Sequence, residues 1–119
     1  SKPPHQIWDR VDLKVTIHCP VFCESEGRLY VAGRRRTDAP WRPQSAPAGN
    51  TGIFLVEKGR VEPFLALPSD GDAAYPGIIS QEEGKLIISY YSQHAYLGGV
   101  ISGLTAHSDD IYIAEIATG

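Results

Sequence analysis

Methionine is absent from the 119 residues, so the chain begins either at a processed terminus or at a cut inside a longer gene. No apolar run approaches the roughly 18 residues of a membrane-crossing helix, and no signal-peptide core stands at the start. Secretion stays open, because a leader is removable. Positive charge is scarce: 11 Lys and Arg face 14 Asp and Glu, a formal charge of −3. That balance gives no general attraction for nucleic acid or an anionic membrane, so any basic site has to be local. Cysteine is too rare for a disulfide framework. Cys19 and Cys23 share one expected strand and stand roughly 13 Å apart at about 3.3 Å per residue, beyond disulfide reach. They read as reduced, mostly buried, small hydrophobes. With His18 they lack the close ligand pairs of a zinc site, and no second cysteine pair completes one, so no metal or cofactor is expected. Helix signals of useful length are missing too. The Pro-rich stretch 39–47 and the Gly-rich stretch 98–103 read as loops.

What is present is a repeat. Residues 20–35 (PVFCESEGRLYVAGRR) and 77–92 (GIISQEEGKLIISYYS) share one pattern: an apolar strand, an acidic turn ending in Gly27 or Gly84, then a second apolar strand. Downstream, Gly52-Ile53-Phe54-Leu55-Val56-Glu57 matches Asp110-Ile111-Tyr112-Ile113-Ala114-Glu115 at an offset of 58. Tandem repeats of about this length mark solenoids, propellers or arrays. Alternation and β-branched enrichment predict strands at about 20–24, 28–35, 52–57 and 61–67 in the first unit. The second unit repeats them at about 77–81, 85–91 and 110–116.

The fold expected is therefore all-β, made of two four-stranded antiparallel blades of a β-propeller: 18–68 the first and 69–119 the second. The second lacks its outer strand, and the alternating segment Trp8 to Ile17 is placed to supply it, as an unpaired sheet edge invites. Two blades cannot close a ring. The chain reads either as the C-terminal piece of a longer propeller or as a subunit of a head-to-tail homo-oligomer, three chains giving six blades. A two-sheet sandwich is the plainer alternative.

Strand direction alternates in a meander, so the long connections 36–51, 68–76 and 92–109 gather on one rim and the tight turns on the other. Long loops on a rigid β scaffold are where binding residues concentrate. These carry Arg34, Arg36, Trp41, Arg42, Asp72, Tyr75 and His94, with His18 expected beside Tyr75 just ahead of the matching inner strands. Guanidinium forks suit carboxylates, and aromatic rings stack on the apolar faces of sugars. The plainer reading makes the arginines a solvated strand end and the tyrosines packing between blades.

Pro20-Val21 through Gly33-Arg34, Leu67-Pro68-Ser69, Gly71-Asp72 with Tyr75-Pro76-Gly77, and Leu86 through Ser92 followed by Ile111-Tyr112-Ile113-Ala114 resemble the C-terminal blades of sialidase-like propellers, the BNR-repeat superfamily. The resemblance covers most of the chain. It implies a six-bladed ring, Arg34 as a carboxylate-clamping arginine and Tyr90 or Tyr91 as the nucleophile of an exo-sialidase, a tyrosine being the exception among glycoside hydrolases. The Ser-x-Asp-x-Gly-x-x-Trp box of that family is missing from both three–four turns, and no glutamate falls where it would activate a tyrosine. The function expected is a sialidase-like unit that recognises acidic sugars or other glycans on the rim. Sialoside hydrolysis and a ligand-free structural remnant are the alternatives.

Overall fold

The computed structural model describes residues 3–6, 8–13, 15–35, 50–69, 73–82, 84–93 and 109–119. They form seven strands and no helix: β1 (Ile17–Ser25), β2 (Arg28–Arg35), β3 (Asn50–Glu57), β4 (Arg60–Ala66), β5 (Gly77–Gln81), β6 (Lys85–Ser92) and β7 (Asp110–Ala117). The first four make one antiparallel meander in the order β1-β2-β3-β4, and the last three make a second, β5-β6-β7. The all-β expectation and the division into two sheets hold. Each tight hairpin places glycine where φ is positive, at Gly27 (73°), Gly59 (80°) and Gly84 (66°), a conformation that costs a residue with a Cβ.

The two sheets pack face to face. Tyr30, Ala32, Ile53 and Leu67 of the first unit meet Ile78, Leu86, Ile88, Tyr90 and Ile116 of the second in one buried cluster. Ile53, Leu86 and Ile88 are fully covered. Burial of each such side chain contributes about 1.5–3 kcal/mol. Partner choice follows strand alternation: Tyr30 and Ala32 point into this core, and so do Leu86, Ile88 and Tyr90.

Both sheets run the same way up. The Ser80 hydroxyl donates to the Ser25 hydroxyl at 2.8 Å, and a Cβ placed on Gly84 would lie 3.1 Å from the Glu26 carboxylate, so the β1–β2 and β5–β6 turns sit side by side. Thr118 locks the chain end there by donating from N and Oγ1 to the Gly84 carbonyl at 2.7 and 2.8 Å.

One expectation concerns a neighbouring chain, and two others change. The described residues of 8–16 form no strand within the chain, and only Ile17 enters a sheet, opposite Arg35 in β1. An extended segment becomes a strand only where a ladder partner receives it, and β7 remains the edge of a three-stranded sheet. Second, β1 begins earlier than expected, with His18 inside it. A one-residue bulge between His18 and Val21, with Cys19 at φ 52° and Pro20 unable to donate, hides the start from an alternation count. Third, both cysteines are free but half-buried rather than mostly buried, because β1 is an edge strand of its sheet.

Candidate functional site

The long-connection end carries three rows of interest. His18 pairs with Arg34, and Arg34 with Thr51, across β1, β2 and β3. In the second sheet, Tyr91 pairs with Ile111, and Tyr90 with Tyr112. Ladder counting makes the His18–Arg34–Thr51 row of the first sheet the counterpart of Tyr75–Tyr91–Ile111 in the second. Tyr75 and Tyr91 indeed meet, their rings stacked 6.5 Å apart at 24°. Tyr75 is 72% exposed and has φ of 47°, an uncommon conformation for a bulky residue. The two rings form a stacked aromatic pair at the rim, with Tyr75 the more exposed of the two.

Arg34 is half-buried and has no ion-pair partner among the described residues. Close by, Thr51 is fully buried and its Oγ1 finds no hydrogen-bond partner, which costs about 1–3 kcal/mol. The connector after β4 is clamped onto the same row: the Thr51 amide donates to Ser69 Oγ at 2.8 Å, Ser69 Oγ donates to the Leu67 carbonyl at 2.8 Å, and the Leu67 amide donates to the Thr51 carbonyl at 3.0 Å. Thr51 is a rim residue that sequence reading missed, because Gly52 looked like the start of its strand.

Of the two tyrosines singled out as nucleophiles, Tyr90 is buried, donates its hydroxyl to the Pro68 carbonyl at 3.0 Å and stacks on Tyr112 with ring centres 5.5 Å apart. Burial raises its pKa above the ordinary tyrosine value, and Tyr112 raises it further. Both effects hold the proton on the phenol, the opposite of what nucleophilic attack needs. The Tyr112 phenol is raised too, by desolvation and then by Asp110. Tyr91 is half-buried against Tyr75.

The described glutamates belong to the other end. Glu26 and Glu82 stand at tight turns, Glu24 pairs with Leu29, Glu57 with Arg60, Glu62 with Leu55 and Glu115 with Ile87. Glu57 and Glu62 ion-pair with Arg60, and Glu115 with Lys85. No group of three or more His, Cys, Asp or Glu among the described residues is arranged to hold a metal. Two open hollows also lie at the tight-turn end: about 510 Å³ lined by Ser80, Gln81, Glu82 and Lys85, and about 370 Å³ lined by residues between Gly27 and Glu57. Neither includes a rim residue. Arg36, Trp41, Arg42, Asp72 and His94 lie outside the described residues.

Comparison with known proteins returns no match to a family model, a curated protein or a solved structure.

Proposed function

We infer that the chain is a two-blade unit of a sialidase-like β-propeller whose long-loop rim binds a ligand bearing a carboxylate or several hydroxyls, such as an acidic sugar. The observation that carries this reading is the stacked Tyr75–Tyr91 pair, with Tyr75 exposed, at the same end of the molecule as Arg34, which has no ion-pair partner among the described residues. A sugar ring has an apolar face for the exposed tyrosine and a carboxylate for the guanidinium. At the opposite end charges of both signs are paired off, Glu57 and Glu62 with Arg60 and Glu115 with Lys85. In this reading three chains close a ring of six sheets, and segment 8–16 of each, ahead of β1, completes the three-stranded sheet of its neighbour. Binding, not hydrolysis, is the activity favoured, since the Tyr90 phenol is tied to Pro68 and its proton is held firmly.

The test is titration of a sialoside into the wild type and into Arg34→Ala and Tyr75→Ala variants. Loss of a charge-assisted contact at Arg34 should weaken binding by about 1.5–3 kcal/mol, and loss of the Tyr75 ring by about 0.5–1.5 kcal/mol. Unchanged affinity in both variants would remove the rim assignment, whereas turnover of a chromogenic sialoside would move the reading to hydrolysis.

A further inference from the structure

The outward face of the second sheet carries an apolar surface. Ile111 is 81% exposed, Ile113 75% and Ile79 58%, with Ile87 and Tyr91 half-buried among them. All five lie on one side of β5-β6-β7, because Ile79 pairs with Ile87 and Tyr91 with Ile111, while Ile78, Ile88 and Tyr90 turn the other way into the core. Contiguous apolar surface of this kind marks an interaction site.

The repeat identifies what covers it. In the first sheet the rows Val21–Ala32–Ile53 and Cys23–Tyr30–Leu55 face the second sheet. Their ladder counterparts in the second sheet are Gly77–Ser89–Ile113 and Ile79–Ile87–Glu115, which are on the bare face. Conversely, the second sheet presents Ile78–Ile88–Ala114 and Ser80–Leu86–Ile116 to the first. The counterparts of those rows are Phe22–Val31–Phe54 and Glu24–Leu29–Val56, on the far side of the first sheet. The contact inside the chain is therefore head-to-tail. It uses one kind of face on the first sheet and the other kind on the second, and leaves the second sheet's outward face bare while the far face of the first stays open at Phe22 and Leu29.

We propose that the Ile79–Ile87–Ile111–Ile113 face binds a second copy of this chain through that copy's Phe22–Leu29 face, repeating between chains the contact made within one. Val31 and Phe54 at the centre of the receiving face are already buried, so the part open to the partner is its β1–β2 side, where Phe22 is 58% and Leu29 38% exposed. The partner is a copy because the isoleucine face and the open Phe22–Leu29 margin are the ladder counterparts of the two faces that already meet inside the chain. A heterologous contact of this type propagates until it closes into a ring. The inference rests on the assembly part of the reading above, and its face adjoins the rim at Tyr91 and Ile111.

The experiment measures mass in solution for the wild type, Ile113→Lys, Phe22→Lys and an equimolar mixture of the two variants. Circular dichroism and thermal unfolding verify that each variant folds, as expected for substitutions at exposed positions. Wild type should exceed the 13.0 kDa of one chain, and each variant alone should associate at least about a hundredfold more weakly, since the interface would bury an unpaired ammonium. The mixture should form a one-to-one complex, because one variant keeps the isoleucine face and the other the phenylalanine face. A monomeric wild type would overturn the proposal. So would a Phe22→Lys variant that still self-associates, which means isoleucine faces pairing with each other, or a mixture that gains nothing. Sialoside binding is measured on the separate variants as well, which leave His18, Arg34, Tyr75 and Tyr91 unchanged, so binding kept by an unassembled variant tells a failed assembly from a failed rim.

Discussion

Gly33 shows how a single missing side chain shapes the rim. A Cβ there would meet Ile17 Cγ2 at 2.3 Å and the His18 carbonyl oxygen at 2.9 Å, because the β1 bulge swings that strand across β2. Gly33→Ala must push the bulge away and should cost about 1–3 kcal/mol in denaturant unfolding. Thr51 behaves in the reverse sense. Its buried hydroxyl has no partner, so Thr51→Val, which keeps the shape and β-branching, should be neutral or stabilising by up to about 1 kcal/mol. Destabilisation beyond that would mean the hydroxyl is satisfied. Tyr90 links residue chemistry to pH. The folded chain holds its phenolic proton more tightly than the unfolded chain, where tyrosine titrates near 10. The stabilisation is therefore complete below about pH 10 and is lost as pH rises through the higher folded value. Tyr90→Phe should cost about 0.5–1.5 kcal/mol at neutral pH, through the lost bond to Pro68, and should flatten the fall in stability at alkaline pH.

At the level of elements, the strands were the most legible part of the sequence. Period-two alternation with Gly27, Gly59 and Gly84 at the turns placed all seven close to their observed bounds, since turn glycines and a one-sided core leave few registers open. Register across the repeat was less legible. Matching β3 to β7 by residue type aligned Leu55 with Ile113, but the ladders put Leu55 opposite Tyr30 and Glu115 opposite Ile87, a slide of two residues that keeps each side chain on its face. The β1 bulge was invisible because its effect is to break alternation. Of the rim, Arg34 and Tyr75 were found from loop position and Tyr91 through the family resemblance, whereas Thr51 was missed because its strand was expected to begin at Gly52. Segment 8–16 defines the element-scale prediction. Amide exchange at 8–16 should slow only under conditions where the chain associates, since a neighbour's β7 edge then pairs with it. Equal, fast exchange at every concentration would show that the segment never becomes a strand.

At the scale of the molecule, one geometric fact organises the rest: two sheets of the same strand pattern, stacked with their tight turns together, put the strand ends that lead into the long connections at the opposite end. The acidic turns and the aromatic-arginine rim are thereby separated by the length of the strands. The most direct test of that division of labour is to map backbone amide chemical shifts while a sialic-acid glycoside is titrated in. Perturbations are predicted at His18, Arg34, Thr51, Tyr75 and Tyr91, with Gly27, Gly59 and Gly84 unmoved. Shifts centred on the three turn glycines, or none at saturating sugar, would contradict the account.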